Sequence, residues 1–161
     1  MAIYKNRDYI ICKDKIYIHY GSDHYDPSKM DIRKSVHYPP SKPKTGLWGS
    51  PVESDDWRYW CEGEEWNLKS LEKSFKFTLS PEARILVIKN PEDIDPYIKK
   101  YVLLNNFIEN GLDLEKIYSE YDAMEVYFLD NYIELHNDPI FYSWDMDSLC
   151  IWNPDVIIPV K

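Results

Sequence analysis

Short runs of β-forming residues, each closed by a turn signal, recur along the chain. Tyr9-Ile10-Ile11-Cys12 and Lys15 to Tyr20 read as the two strands of a hairpin across Lys13-Asp14. In the second strand Ile16, Ile18 and Tyr20 fall on one face, with Tyr17 and His19 on the other. Phe75 to Leu79 alternates as a half-buried strand does, and Pro81 ends it. Arg84 to Lys89 is apolar throughout between its charged ends, the pattern of a strand covered on both faces. Ala123 to Leu129, Ser148 to Trp152 and Val156 to Val160 complete the set, the last two parted by the turn Asn153-Pro154-Asp155.

Helical spacing is rarer. Ser54-Asp55-Asp56 supplies a cap and first-turn acid for a helix that carries Trp57 and Trp60 on one face. Asp95-Pro96 opens a second helix, with Tyr97, Tyr101, Leu104 and Ile108 at helical spacing up to Gly111. Asp113 to Tyr121 is a third, with Leu114, Ile117 and Tyr118 inward, and Ser28 to Val36 has room for a short one. Asp23 to Thr45, with four prolines, is otherwise an irregular connection. Asp130 to Ser143 is aromatic and irregular, suited to covering the edge of a cleft. Many short strands, a few modest helices and no βαβ alternation predict one α+β domain over residues 1–161, with a mostly antiparallel sheet core.

Composition narrows the partners. A chain of 161 residues with 44% hydrophobic residues buries a core without staples. Three cysteines, far apart and without zinc spacing, fit reduced thiols in a cytoplasm, and no apolar run reaches membrane-span length. A net charge of −9 repels a phosphate backbone, so nucleic acid is not expected as a direct ligand. Such a surface suits a basic partner instead, as in an acidic inhibitor. His19, Asp23, His24 and Asp26 match no standard ligand spacing, so no metal is expected there.

The densest chemistry lies in Gly46 to Cys61, which holds three of the six tryptophans. A short strand presenting Trp48, a turn, and a helix bearing Trp57 and Trp60 would make a platform for a flat ligand. The same indoles would serve equally well as core.

This segment resembles, with tryptophan substitutions, the middle signature of the ADP-ribosyltransferase fold: a strand of the form Gly-Ile-Tyr-Phe, a polar turn, and a helix carrying Tyr-Cys. The family includes poly(ADP-ribose) polymerases, diphtheria-type toxins and phage anti-defence enzymes. His19-Tyr20-Gly21-Ser22 is similar to the family's first signature, a strand ending His-Gly-Thr/Ser, with Tyr20 as an extra residue. Ser148 to Trp152, the Asn-Pro turn and the final strand resemble its last signature, whose leading glutamate falls at Ser148; Asp145 and Asp147 lie just upstream, and on an extended chain would point to one side.

The resemblance implies a split sheet, antiparallel-rich, that binds NAD as a substrate and transfers its ADP-ribose to a macromolecular, most simply protein, acceptor. It implies that His19 holds the ribose, and that Tyr20, Gly21 and Ser22 lie beside it. Trp48, Trp57 and Trp60 would clamp the nicotinamide. Asp147, adjacent to the glutamate position, or Asp145 would stabilise an oxocarbenium-like sugar. The alternative is a non-catalytic acidic interaction protein, with a pseudoenzyme on the same fold between the two.

Overall fold

A computed structural model describes residues 3–4, 15–32, 41–102, 105 and 107–161. Ten strands are present: β1 (Ile3–Tyr4), β2 (Tyr17–Tyr20), β3 (Leu47–Pro51), β4 (Ser74–Leu79), β5 (Arg84–Ile88), β6 (Ile98–Val102), β7 (Ile108–Leu112), β8 (Ala123–Val126), β9 (Ser148–Ile151) and β10 (Ile157–Pro159). Three short α-helices accompany them among the described residues: α1 (Asp56–Gly63), α2 (Leu114–Glu120) and α3 (Tyr132–Asn137). Eight strands form one sheet in the order β1-β5-β8-β9-β3-β2-β4-β10, and β6 and β7 form a separate ribbon. Among the described strands only β1–β5 and β5–β8 pair in parallel. The class is therefore α+β, with a large, mostly antiparallel sheet.

β3 is the hinge between two limbs of that sheet, pairing with β9 on one side and β2 on the other. The limbs fold toward each other. Tyr17, Phe77 and Ile157 of one limb share a buried cluster with Ile85, Val87, Leu149 and Ile151 of the other. Two glycines make the close approach at β3 possible. A Cβ on Gly49 would lie 2.8 Å from the Phe77 ring, and one on Gly46, at φ +84°, would lie 2.0 Å from the Ile151 carbonyl oxygen. A second core covers the opposite face of the β5-β8-β9 limb, where α2, α3 and their flanking turns pack Ile117, Tyr118, Leu135 and Phe141 against Met124, Val126 and Cys150. Arg84 and Asp122 tie β5 to β8 through two side-chain bonds, at 3.0 and 3.1 Å.

The strands expected around Lys15–Tyr20, Phe75–Leu79, Arg84–Lys89, Ala123–Leu129, Ser148–Trp152 and Val156–Val160 are present, some shortened. Tyr9–Cys12 and the Lys13-Asp14 turn lie outside the described residues, and the described partners of β2 are β3 and β4. The helix expected from Asp95 to Ile108 is not formed. Asp95 and Pro96 belong to a 3-10 turn, Pro91–Tyr97, and the chain then runs out and back as β6 and β7. Ile98, Tyr101, Val102 and Ile108 favour extended backbone, and Asn105 takes φ +88° within the connection between the strands. Tyr97 and Tyr101, four apart, suit either reading of the spacing. Near Ser28 only a 3-10 turn, Pro27–Lys29, is described, and the segment read as irregular after Asp130 contains α3. Among the described residues no helix is long and apolar enough to cross a membrane.

Candidate functional site

A cleft of about 530 Å³ opens where β2, β3 and the start of β9 lie side by side. Strand alternation builds its floor. Ile18 pairs with Ser50, and Trp48 with Cys150, so these positions share one face of the sheet. Ile18, Tyr20, Trp48, Ser50 and Ser148 all line the cleft. One wall comes from α1 and the turn after it, through Trp57, Trp66, Asn67 and Ser70. The other comes from Lys42-Pro43-Lys44 and from Trp144-Asp145-Met146.

His19 also borders the cleft. Its Nδ1 lies 2.7 Å from the Trp48 carbonyl oxygen, which can only accept, so Nδ1 carries the proton and donates. The remaining nitrogen, Nε2, is then an acceptor. Burial pulls the imidazole below its ordinary value and so favours the neutral ring, outweighing the bond to Trp48, which acts the other way.

The Tyr20 hydroxyl is committed to residues at the start of α1. The hydroxyl donates to both carboxylate oxygens of Asp55, at 2.6 and 2.8 Å, and accepts from Arg58 Nε at 3.1 Å. Asp55 stands immediately before α1 at φ +48°, with its carboxylate turned to Tyr20 and Arg58 instead of capping the helix. That strut holds α1, and hence Trp57, against β2.

The indoles fall into two groups. Trp57 and Trp60 stack at 5.1 Å and 15°, and Trp66 meets both rings edge-on at 5.7 Å. Trp48 packs on Trp144 at 5.4 Å. Of the six tryptophans, four line the cleft and Trp60 backs two of those four. Only Trp152 is wholly committed elsewhere, buried with its Nε1 donating to the Tyr121 carbonyl.

The two aspartates are separated. Asp145 lines the cleft, the chain bends at Met146, and Asp147 does not line it. The Asp147 Oδ1 accepts from the Leu129 amide at 2.9 Å. Desolvation pushes Asp147 up, with Asp56 and Asp130 adding to the rise, while the Leu129 bond and Lys15 oppose it. The expectation that both carboxylates point to one side is thus corrected: the bend breaks the alternation on which it rested. Gly21 and Ser22 also lie off the cleft wall, and the Ser22 hydroxyl donates to the His24 carbonyl at 2.8 Å.

Trp66, Trp144, Lys42 and Lys44 are site residues that the sequence reading passed over. The concentration of tryptophan was the signal available for the first two; the lysines sit in a proline-flanked stretch with no periodicity. Lys42 Nζ donates to the Ser143 carbonyl at 2.7 Å and lies 6.0 Å from the Trp48 ring centre. Burial pulls Lys42 below the usual lysine value, against the field of Asp145, and Lys44 adds to the fall. No group of three or more metal-ligating side chains occurs among the described residues. Comparison of the chain with protein-family models, curated proteins and solved structures found no match.

Proposed function

We propose that the cleft binds NAD and that the protein transfers ADP-ribose from it to a macromolecular acceptor, most simply a basic protein. The observation that carries this reading is the gathering of His19, Trp48, Trp57 and Asp145, drawn from three separate parts of the sequence, around one cleft. The resemblance to ADP-ribosyltransferases asks for these groups together: a histidine on the ribose, an aromatic clamp and a carboxylate. In this reading the nicotinamide ring stacks on an indole face, where its positive charge is attracted by the ring quadrupole. The neutral His19 accepts a hydrogen bond from a ribose hydroxyl at Nε2. As the bond from the anomeric carbon to the ring nitrogen breaks, its electron pair leaves with nicotinamide and the sugar becomes oxocarbenium-like. Asp145 stabilises that charge, and the acceptor's lone pair forms the new bond to the anomeric carbon while its proton passes to solvent or carboxylate.

The test combines binding with turnover. NAD should quench tryptophan fluorescence, and a lysate supplying the acceptor should stimulate nicotinamide release. Asp145→Asn keeps the size and one acceptor oxygen, so it should still bind NAD while transfer falls by roughly 10²-fold, about 3 kcal/mol of transition-state stabilisation. Equal turnover by parent and variant would remove Asp145 from the mechanism.

One observation favours the non-catalytic alternative. Ser148 stands where the family places glutamate, and Asp147 is held by Leu129, so Asp145 is the sole carboxylate of the described cleft lining. Binding of NAD without consumption would identify a pseudoenzyme, and neither binding nor consumption would leave an acidic interaction protein.

A further inference from the structure

We infer that Lys42 and Lys44 are the anion-binding wall of this cleft, and that its ligand is a diphosphate ester carrying a flat ring. The inference rests on the nucleotide reading above and adds to it the residues that select the ligand's charge pattern. The charged side chains of the described lining are Lys42, Lys44 and Asp145, two cations and one anion. That local excess of one positive charge sits in a chain whose net charge is −9. A surface otherwise hostile to anions thus turns cationic at the concave, aromatic-lined place where a ligand would bind.

The local geometry brings both lysines to the wall and anchors the first. Lys42 and Lys44 are separated by one residue, the buried Pro43, and both border the cleft. The Lys42 stem is partly buried and its ammonium is anchored on the Ser143 carbonyl. An ammonium has three N–H donors, so two stay available after that bond. Two cations one residue apart on one wall match the two charges of a diphosphate better than the single charge of a carboxylate.

Charge on the remaining side sharpens the match. Asp145 belongs to the same cleft as the lysines and acts on Lys42 electrostatically. A pattern of two positive charges and one negative complements a ligand with a diphosphate and one cationic ring, as in oxidised NAD. It fits less well a ligand that carries the diphosphate alone, because Asp145 would then face no cation. Trp57 and Trp66, with Asn67 and Ser70 beside them, offer the flat surface and polar edge that a ring requires.

The experiment measures affinities of the full chain for NAD, ADP and nicotinamide riboside, the last having the cationic ring and no phosphate. They are read by tryptophan fluorescence in the parent, in Lys42→Met/Lys44→Met and in Lys42→Arg/Lys44→Arg. The methionine pair should weaken NAD and ADP by about tenfold or more, the scale of a lost charge-assisted contact, and leave nicotinamide riboside unchanged. The arginine pair should retain most of the affinity. Circular dichroism checks folding. If the methionine pair does not fold, added salt on the parent serves instead, weakening ADP and NAD far more steeply than the riboside. Unchanged NAD and ADP affinity in the folded methionine pair, or a parent that binds neither, overturns the inference. The first of those outcomes leaves the NAD chemistry standing. Lysine-dependent ADP binding by a protein that neither binds nor consumes NAD upholds the wall and removes the NAD reading.

Discussion

The carboxylate of Asp147 is partly screened from water and near two other carboxylates, with one amide bond and a more distant lysine to offset the cost. Its proton is therefore bound more tightly in the folded chain than in the unfolded one. Between the ordinary aspartate value and the raised folded one, the folded state holds more protons, so stability falls as pH rises through that window. Asp147→Asn keeps the Oδ1 acceptor for Leu129 and removes the charge. It should raise the melting temperature near neutral pH, and the gain should vanish on acidification to the usual aspartate range. A loss of stability at neutral pH would show that the charge itself is needed there. The choice between the two aspartates was not legible in the sequence. Alternation held both on one side, and only the bend at Met146 sends Asp145 to the cleft and Asp147 to the Leu129 amide.

At the scale of elements, α1 is the piece whose placement matters most. Its start was readable from Ser54-Asp55-Asp56, and so was the shared face of Trp57 and Trp60. Its orientation was not, because that depends on Tyr20 reaching across to Asp55, a contact over 35 positions. Tyr20→Phe and Asp55→Asn should each destabilise the protein by about 1–2 kcal/mol in denaturant unfolding, the scale of a bond to a charged group. Combined, they should cost clearly less than the sum, since each breaks the same strut. Full additivity would mean that the two residues act independently. Trp66 escaped the sequence reading for a related reason: it follows Glu65, at φ +52°, and precedes Asn67, at φ +47°. Two left-handed residues reverse the chain and return that indole to its neighbours. The ribbon β6–β7 shows the opposite failure, where four-residue spacing of aromatics imitates a helix that strand-forming residues and Asn105 override.

At the scale of the whole molecule, the mostly antiparallel α+β class was legible because strand runs and turn residues announce themselves locally. The folding of the sheet onto itself was not, since it depends on β3 serving both limbs and on glycine at 46 and 49. An ion pair crosses between the limbs. Lys15, just before β2, pairs with Glu125 of β8, whose Oε1 also accepts from the Tyr17 hydroxyl at 3.0 Å. The Glu125 side chain is 2% exposed, and Oε2 has no hydrogen-bond partner. Lys15→Met should therefore destabilise strongly, by roughly 3–5 kcal/mol, because it strands a buried charge. Lys15→Met/Glu125→Met should recover much of that loss. If the double variant unfolds as easily as the single one, the cost lies in packing and not in charge.

The position of β3 between β2 and β9 also sets a timetable. β2 and β3 are made well before β9, which begins at Ser148, directly after the segment with Trp144 and Asp145, and pairs with the other edge of β3. At roughly 5–20 residues per second, synthesis of the intervening segment of about 100 residues takes on the order of 5–20 s. During that interval the β3 edge that later meets β9, and the Trp48 face that later meets Trp144, wait without their partners on the nascent chain. The cleft is therefore assembled only once β9 has been made, and any activity housed in it stays silent until that strand has left the ribosome.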